Sequence, residues 1–153
     1  MTAERRRGLL DTNVVVLQAA IDPAELPAEV AISAVTLAEL SAGPHLVAGD
    51  DADARAERAR RTEVLQRTEA EFDPIPFDAP AARTFGRMSA AVAAAGRTPR
   101  RRLADLMIAA VAAANDLALY TTNPADYVGL DDLVDIVAVT RPVTGGHGRR
   151  PPH

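Results

Sequence analysis

The chain contains no cysteine, which excludes disulfides, zinc–thiolate centres and thiol nucleophiles and accords with a reducing compartment. It contains no tryptophan, only two tyrosines and three phenylalanines, so little is available for stacking on nucleic-acid bases. Lysine is also absent, and all 17 basic residues are arginine. Arginine suits forked contacts to phosphate or carboxylate, but a coding bias explains the same usage more simply. No apolar run is long enough to cross a bilayer. The opening "MTAERRR" leads into only a short apolar stretch, which argues against a secretory signal. We therefore expect a soluble, cytoplasmic protein. The formal net charge of −4 argues against a protein that coats nucleic acid indiscriminately, although it leaves room for a local basic groove.

What is present fits one domain. A chain of 153 residues buries roughly 70% of its unfolded surface and needs no staples. Residues 7–10 read as a short buried strand. Residues 13–20 read as a helix ended by "DPAELP". "EVAISAV" reads as a second strand, and "TLAEL" starts a helix closed by Gly43–Pro44. Residues 50–71 carry charges at helical spacing and form a long solvated helix. "FDPIPFD" is a turn or edge segment, because two prolines oppose a central strand. A helix over 79–95 closes at Gly96, "RTPRRR" is a loop, and an apolar helix follows over 103–115. "LALYTTN" is a third strand, "PADY" a helical turn and "LVDIVAV" a fourth strand. From Arg141 on, Pro, Gly and basic residues lead us to expect a disordered tail. Short apolar strands alternating with helices imply a mostly parallel sheet with helices on both faces.

In such sheets ligands sit beyond the C-terminal ends of the strands. Asp11 follows strand one there, Glu39 lies in the helix after strand two, and Asp126 lies in the turn after strand three. Asp105 heads an apolar helix that is placed to point to the same edge. Each acid has an ordinary explanation. Asp11 can cap the next helix. "TLAE" fits a capping box with Thr36 as cap and Glu39 reaching back. Asp105 suits the positive end of its helix. "NPAD" is a helix start with Asn123 as cap. Taken together they are harder to explain. Two unit charges about 4 Å apart repel by roughly 4 kcal/mol at an effective dielectric near 20. A divalent cation reverses that sign, and carboxylates are the hard oxygen ligands that magnesium or manganese prefer. Thr12 and Asn13 are candidates to orient Asp11 or the waters around an ion, and Thr121, Thr122 and Asn123 would do so across the site. Turn chemistry alone also accounts for the asparagines.

The segments "LLDTNVVV", "AISAVTLAEL", "LADLMIAAVAAANDLALYTTNPADY" and "VDIVAV", in this order from about Gly8 to Val139, resemble the PIN domain, and within it the VapC-type toxins of bacterial toxin–antitoxin pairs. The resemblance implies a three-layer α/β/α sandwich over residues 1–140 and a ribonuclease dependent on Mg2+ or Mn2+. Its acidic quartet falls on Asp11, Glu39, Asp105 and Asp126, with polar neighbours at Asn13 and at Thr121 or Asn123. It also implies a homodimer and a small VapB-like antitoxin whose C-terminal segment wraps the toxin and occludes the site. The segment "AGPHLVAGDDADARAERARRTEV" corresponds to the variable region of such proteins, and Tyr127 stands where they often have Phe.

A metal held by Asp11 and Asp105, with Glu39 or Asp126 nearby, would activate water and polarise a phosphodiester. Arg97, Arg100, Arg101 and Arg102 directly precede Asp105 and are candidates to meet RNA phosphates. A solvated loop or an antitoxin surface is the alternative. His45, His147 and His153 lie in loops or the tail, so a Ser/His/Asp system is not expected. A haloacid-dehalogenase-like phosphatase would need an aspartate where Asn13 stands, and a lysine. A DNA nuclease, a housekeeping RNA-processing enzyme and a non-catalytic binding module remain open.

Overall fold

A computed structural model describes residues 7–98 and 102–143. Residues 144–153 of the expected tail, and the loop residues Arg100 and Arg101, lie outside the described residues. The elements run β1 (Arg7–Leu10), α1 (Thr12–Leu17), β2 (Glu29–Ala31), α2 (Ala34–Ala42), α3 (Ala52–Glu71), α4 (Ala79–Ala94), α5 (Leu103–Ala114), β3 (Ala118–Thr121) and β4 (Ile136–Ala138). Short 3-10 turns join several of them, among them Gln18–Ala20 after α1 and Pro124–Tyr127 after β3. Among the described residues, no helix is long and apolar enough to cross a membrane.

All three strand pairings are parallel, in the order β2-β1-β3-β4. Alternation along each strand divides the apolar side chains between two faces. Leu9, Ala31 and Leu119 join one core, which they share with Met88 and Val92 of α4 and with Leu106 and Ile108 of α5. Leu10 and Tyr120 join a second core with Val14 and Val15 of α1 and Leu40 of α2, and Val64 and Leu65 of α3 pack against it. The result is the three-layer α/β/α arrangement expected from the sequence. Gly8 is required for it: a Cβ there would lie 2.3 Å from Tyr120 Cε2 and 2.7 Å from Cδ2. Only glycine lets the Tyr120 ring close over β1.

Three details differ from the expectations. The second strand ends at Ala31, and α2 is capped by Ser33, whose Oγ accepts from Val35 N at 3.0 Å. Thr36 is therefore inside the helix and makes no capping box with Glu39. The cause is long-range. Ile75, between the two prolines of "FDPIPFD", bridges the chain here, with Ile75 N donating to Ile32 O (2.9 Å) and Ala34 N to Ile75 O (2.8 Å). That extra edge pairing fixes the end of the extended backbone three residues before Thr36. Helix α1 stops at Leu17 and tightens into a 3-10 turn, so the expected helix over 13–20 is only partly α-helical. Asn123 precedes the Pro124–Tyr127 turn, but its side chain makes no capping bond.

β1 lies between β2 and β3, so the chain leaves β1 towards one side of the sheet and later returns on the other. The crevice beyond the C-terminal ends of β1 and β3 is the switch point at which open parallel sheets place their sites.

Candidate active site

The residues that follow β1 and β3 build the centre of this crevice. Asp11 N still donates to Tyr120 O at 3.0 Å, so the sheet holds the Asp11 backbone in place. Its carboxylate caps α1, with Oδ1 accepting from Val14 N at 3.0 Å. Capping and site membership are thus compatible, because a carboxylate has lone pairs to spare. Asp11 is only 5% exposed. Burial raises its pKa above the usual carboxylate range, and the Glu39 charge adds to this. The Thr121 hydroxyl and the N–H groups of Val14 and Asn13 work against the rise. Thr121 Oγ1 accepts from Asn123 N at 3.0 Å, which leaves its own hydrogen free for Asp11.

Helix α5 brings Asp105 to the same place. It sits in the first turn, where the helix dipole favours a carboxylate. Even so, its pKa is raised, first by burial and then by the charges of Glu39 and Asp11, with Arg102 opposing. Tyr127 is also raised, by burial and by the charges of Asp11, Asp105 and Glu39. The Glu39 charge thus acts on both Asp11 and Asp105, and the Asp11 charge acts on Asp105.

Glu39 is held by a short chain of hydroxyls. Thr12 Oγ1 donates to Glu39 Oε1 at 2.6 Å and meets Thr36 Oγ1 at 3.1 Å. A hydroxyl has one hydrogen. Thr12 gives its own to the carboxylate, so Thr36 must be the donor to Thr12. Thr36 is fully buried, and its relay reaches Glu39 one helical turn along α2. From the sequence, Thr36 is expected only as a cap. The i, i+3 spacing of Thr36 and Glu39 on one helix face is the signal for this second role.

Asp126 stands apart from the other three acids. It forms an ion pair with Arg102, and its charge is not among those that shift Asp11 or Asp105. Arg97 lies nearby and donates to Ala125 O at 3.1 Å. Arg97, Thr98, Arg102, Leu106 and Asp126 line a cavity of about 290 Å³ beside the acids. Asn13 is exposed at the start of α1, and Asn123 opens the turn that carries Asp126.

Among the described residues, no three carboxylate or imidazole groups converge tightly enough to grip an ion as they stand. The donor set still suits a hard divalent cation, since it is all oxygen, with Asp11 buried, Asp105 half-buried and Glu39 exposed at the rim, and Arg102 is the one cation that acts on Asp105.

Comparison with known proteins agrees with this architecture. The family model described as PIN domain matches residues 9–127. The chain belongs to the PIN-domain family. This PIN domain is 35% identical over 139 residues to Ribonuclease VapC5 of Mycobacterium tuberculosis, covering 89% of this chain and 96% of the relative. That relationship places it among the VapC proteins. It is also similar to the crystal structure of VapBC-5, a member of the VapBC family of toxin–antitoxin systems from the same organism. The TM-score is 0.73 at 38% identity, over 88% of this chain and 99% of the other. VapBC2 of Rickettsia felis, solved with a promoter DNA fragment, shares the fold with a TM-score of 0.62 at 20% identity, over 87% of this chain and 98% of the other.

Proposed function

We propose that this VapC-type PIN domain is the toxin of a toxin–antitoxin pair, a cytoplasmic endoribonuclease that hydrolyses RNA phosphodiester bonds with Mg2+ or Mn2+. The observation that carries this is the placement of Asp11, Glu39 and Asp105 around the switch point of the sheet, where the Glu39 charge raises the pKa of both aspartates and the Asp11 charge raises that of Asp105. Nothing in helix capping requires that placement, whereas a divalent ion makes it favourable.

Asp11 and Asp105 would hold the ion, and Glu39 would complete the set with its orientation fixed by Thr12. When bound, such an ion supplies Lewis acidity that activates water and polarises a phosphoryl oxygen. Thr121 steadies Asp11. Asp126 joins the ligand set once its pairing with Arg102 opens, which is our reading of its place in the quartet. Arg97 and Arg102 line the adjacent cavity and would bind RNA phosphates, and the sequence run that joins them adds Arg100 and Arg101 to the proposal, both outside the described residues. Few aromatic residues are available, so backbone and shape recognition dominate.

The relatives act within toxin–antitoxin systems, and we extend that partnership to this chain. A groove of about 780 Å³ runs from Thr12, Asn13 and Glu39 past Val16, Leu17 and Leu46 to Arg60 and Arg61. An antitoxin segment seated there would cover apolar surface and end at the acids. A homodimer is part of the same proposal.

The test is incubation of the full chain with total RNA, with and without Mg2+, followed by mapping of the cut ends. Discrete cuts that need the metal and vanish in Asp105→Asn are expected. Cleavage that ignores the metal, or full activity in the variant, overturns the proposal.

A further inference from the structure

Among the described residues, the hydroxyls of Ser89, Thr122 and Tyr127 are sealed from solvent and have no hydrogen-bond partner. Thr36 is as deeply buried, but its hydroxyl is used, and in an unusual direction. A threonine inside a helix commonly bonds the carbonyl one turn back in that helix. In α3, Thr62 does so with Arg58 O at 2.8 Å and Thr68 with Val64 O at 2.7 Å. The carbonyl one turn back from Thr36 belongs to Ile32, and it already accepts from Ile75 N at 2.9 Å. The Thr36 hydroxyl instead crosses to α1 and meets Thr12 Oγ1 at 3.1 Å. Valine has the same branched shape, so packing explains the branch and leaves the oxygen, which is costly to bury, to be explained.

The chain of bonds that starts at Thr36 ends at a proposed metal ligand. Thr12 Oγ1 gives its hydrogen to Glu39 Oε1 at 2.6 Å, a length typical of a hydroxyl on an ionised carboxylate. Glu39 is exposed, and a long side chain at the rim keeps its rotamer freedom unless a partner holds it. Thr12 is the residue next to Asp11, and Thr36 stands one turn before Glu39 on α2. The two hydroxyls therefore tie the start of α1 to the face of α2 that carries Glu39. Donation from Thr36 occupies a lone pair of Thr12 and polarises the Thr12 O–H towards the carboxylate.

We infer that Thr36 is a positioning residue: through Thr12, its hydroxyl holds the Glu39 carboxylate against the start of α1, at a fixed spacing from Asp11, so that both are placed to receive a divalent ion. The inference rests on the ribonuclease function proposed above and adds to it a buried residue of α2 that is itself sealed from both ion and RNA. Hydrogen-bond partners of metal ligands commonly change metal affinity about 10–100-fold when removed. Thr36 acts at one further remove, which puts its effect at the lower end of that range.

The test separates the hydroxyl from the shape. Thr36→Val deletes the hydroxyl and keeps the branch, Thr36→Ser does the reverse, and Thr12→Val is made alone and together with Thr36→Val. Mn2+ binding is measured by titration calorimetry on the full chain, and each metal-free protein is melted separately. The expected result is a loss of Mn2+ affinity of about tenfold in Thr36→Val and parent-like affinity in Thr36→Ser. Adding Thr36→Val to Thr12→Val should cost nothing more, because the two residues act in series, and every metal-free variant should melt cooperatively. Parent-like affinity in Thr36→Val overturns the inference and leaves the ribonuclease proposal standing. So does an equal loss in Thr36→Ser, which assigns the effect to packing, or the same loss persisting on the Thr12→Val background, which routes it past Thr12. A Thr36→Val chain that does not fold overturns it too, by making the hydroxyl a requirement of the fold. Parent protein that binds no Mn2+ overturns the metal-dependent proposal itself, and this inference with it.

Discussion

Replacing Asp11 by Asn removes one charge and almost no shape. Asparagine caps a helix about as well as aspartate, so the bond from Val14 N, 3.0 Å in the parent, can be kept at a cost of a few tenths of a kcal/mol. The variant loses the buried charge beside Glu39 and Asp105. Each unit by which a folded carboxyl titrates above its unfolded value costs the native state ~1.4 kcal/mol at neutral pH. Asparagine removes that cost, and in a domain of this size each kcal/mol recovered raises the melting temperature by ~2–4 °C. Metal-free Asp11→Asn should therefore melt no lower than the parent. Metal reverses the order. Mn2+ at one hundred times its dissociation constant stabilises the parent by ~2.7 kcal/mol, or roughly 5–11 °C, and does little for the variant. Differential scanning calorimetry with and without Mn2+, with RNA cleavage measured in parallel, gives all four values. A variant that melts well below the parent without metal, or that keeps the full Mn2+ shift, would refute the assignment of Asp11 as a ligand held against repulsion.

The pH dependence follows from the same groups. Asp11 and Asp105 both titrate above 3.8, so the native chain keeps these protons to higher pH than the unfolded chain. The stability they leave to the metal-free protein therefore falls as pH rises from about 4 through their folded values. In denaturant melts, the stability advantage of Asp105→Asn over the parent should be absent below that window and grow across it. An advantage that does not change with pH contradicts this. Arg102→Ala should weaken RNA binding and reduce its logarithmic salt slope by ~0.7 for each phosphate left without its arginine, as read by titration at several salt concentrations. An unchanged slope removes Arg102 from the RNA path. Gly8→Ala places a carbon 2.3 Å from the Tyr120 ring. It should cost about 1–3 kcal/mol, which a thermal melt reads as a loss of roughly 2–12 °C.

Features carried by short-range pattern were legible in the sequence. The alternation of Leu9 with Leu10 and of Leu119 with Tyr120 implies a sheet buried on both faces, and the apolar run after Asp105 implies α5. What was not legible depends on contacts between distant segments. Thr36 fits the rule for a helix cap, but the Ile75 bridge starts the helix at Ala34. The Thr12–Glu39 bond joins residues of two helices, and no local pattern encodes it. The pairing of Asp126 with Arg102 joins the turn after β3 to the start of α5, and spacing along the sequence does not reveal it. Tyr127 looks like a mild substitution because the sequence shows a ring and not whether its oxygen has a partner.

The parallel pairing of β1 with β3 also has a consequence in time. Leu10 finds Tyr120 across the strands, and Asp11 finds Thr121 and Asp105, only after the chain has been made past Thr121. Pairings so distant along the chain form late. A nascent chain attached to its ribosome therefore carries Asp11 and Glu39 without the rest of the site. Assembly of the acids therefore waits on the segment from Asp105 to Thr121, however early Asp11 and Glu39 emerge.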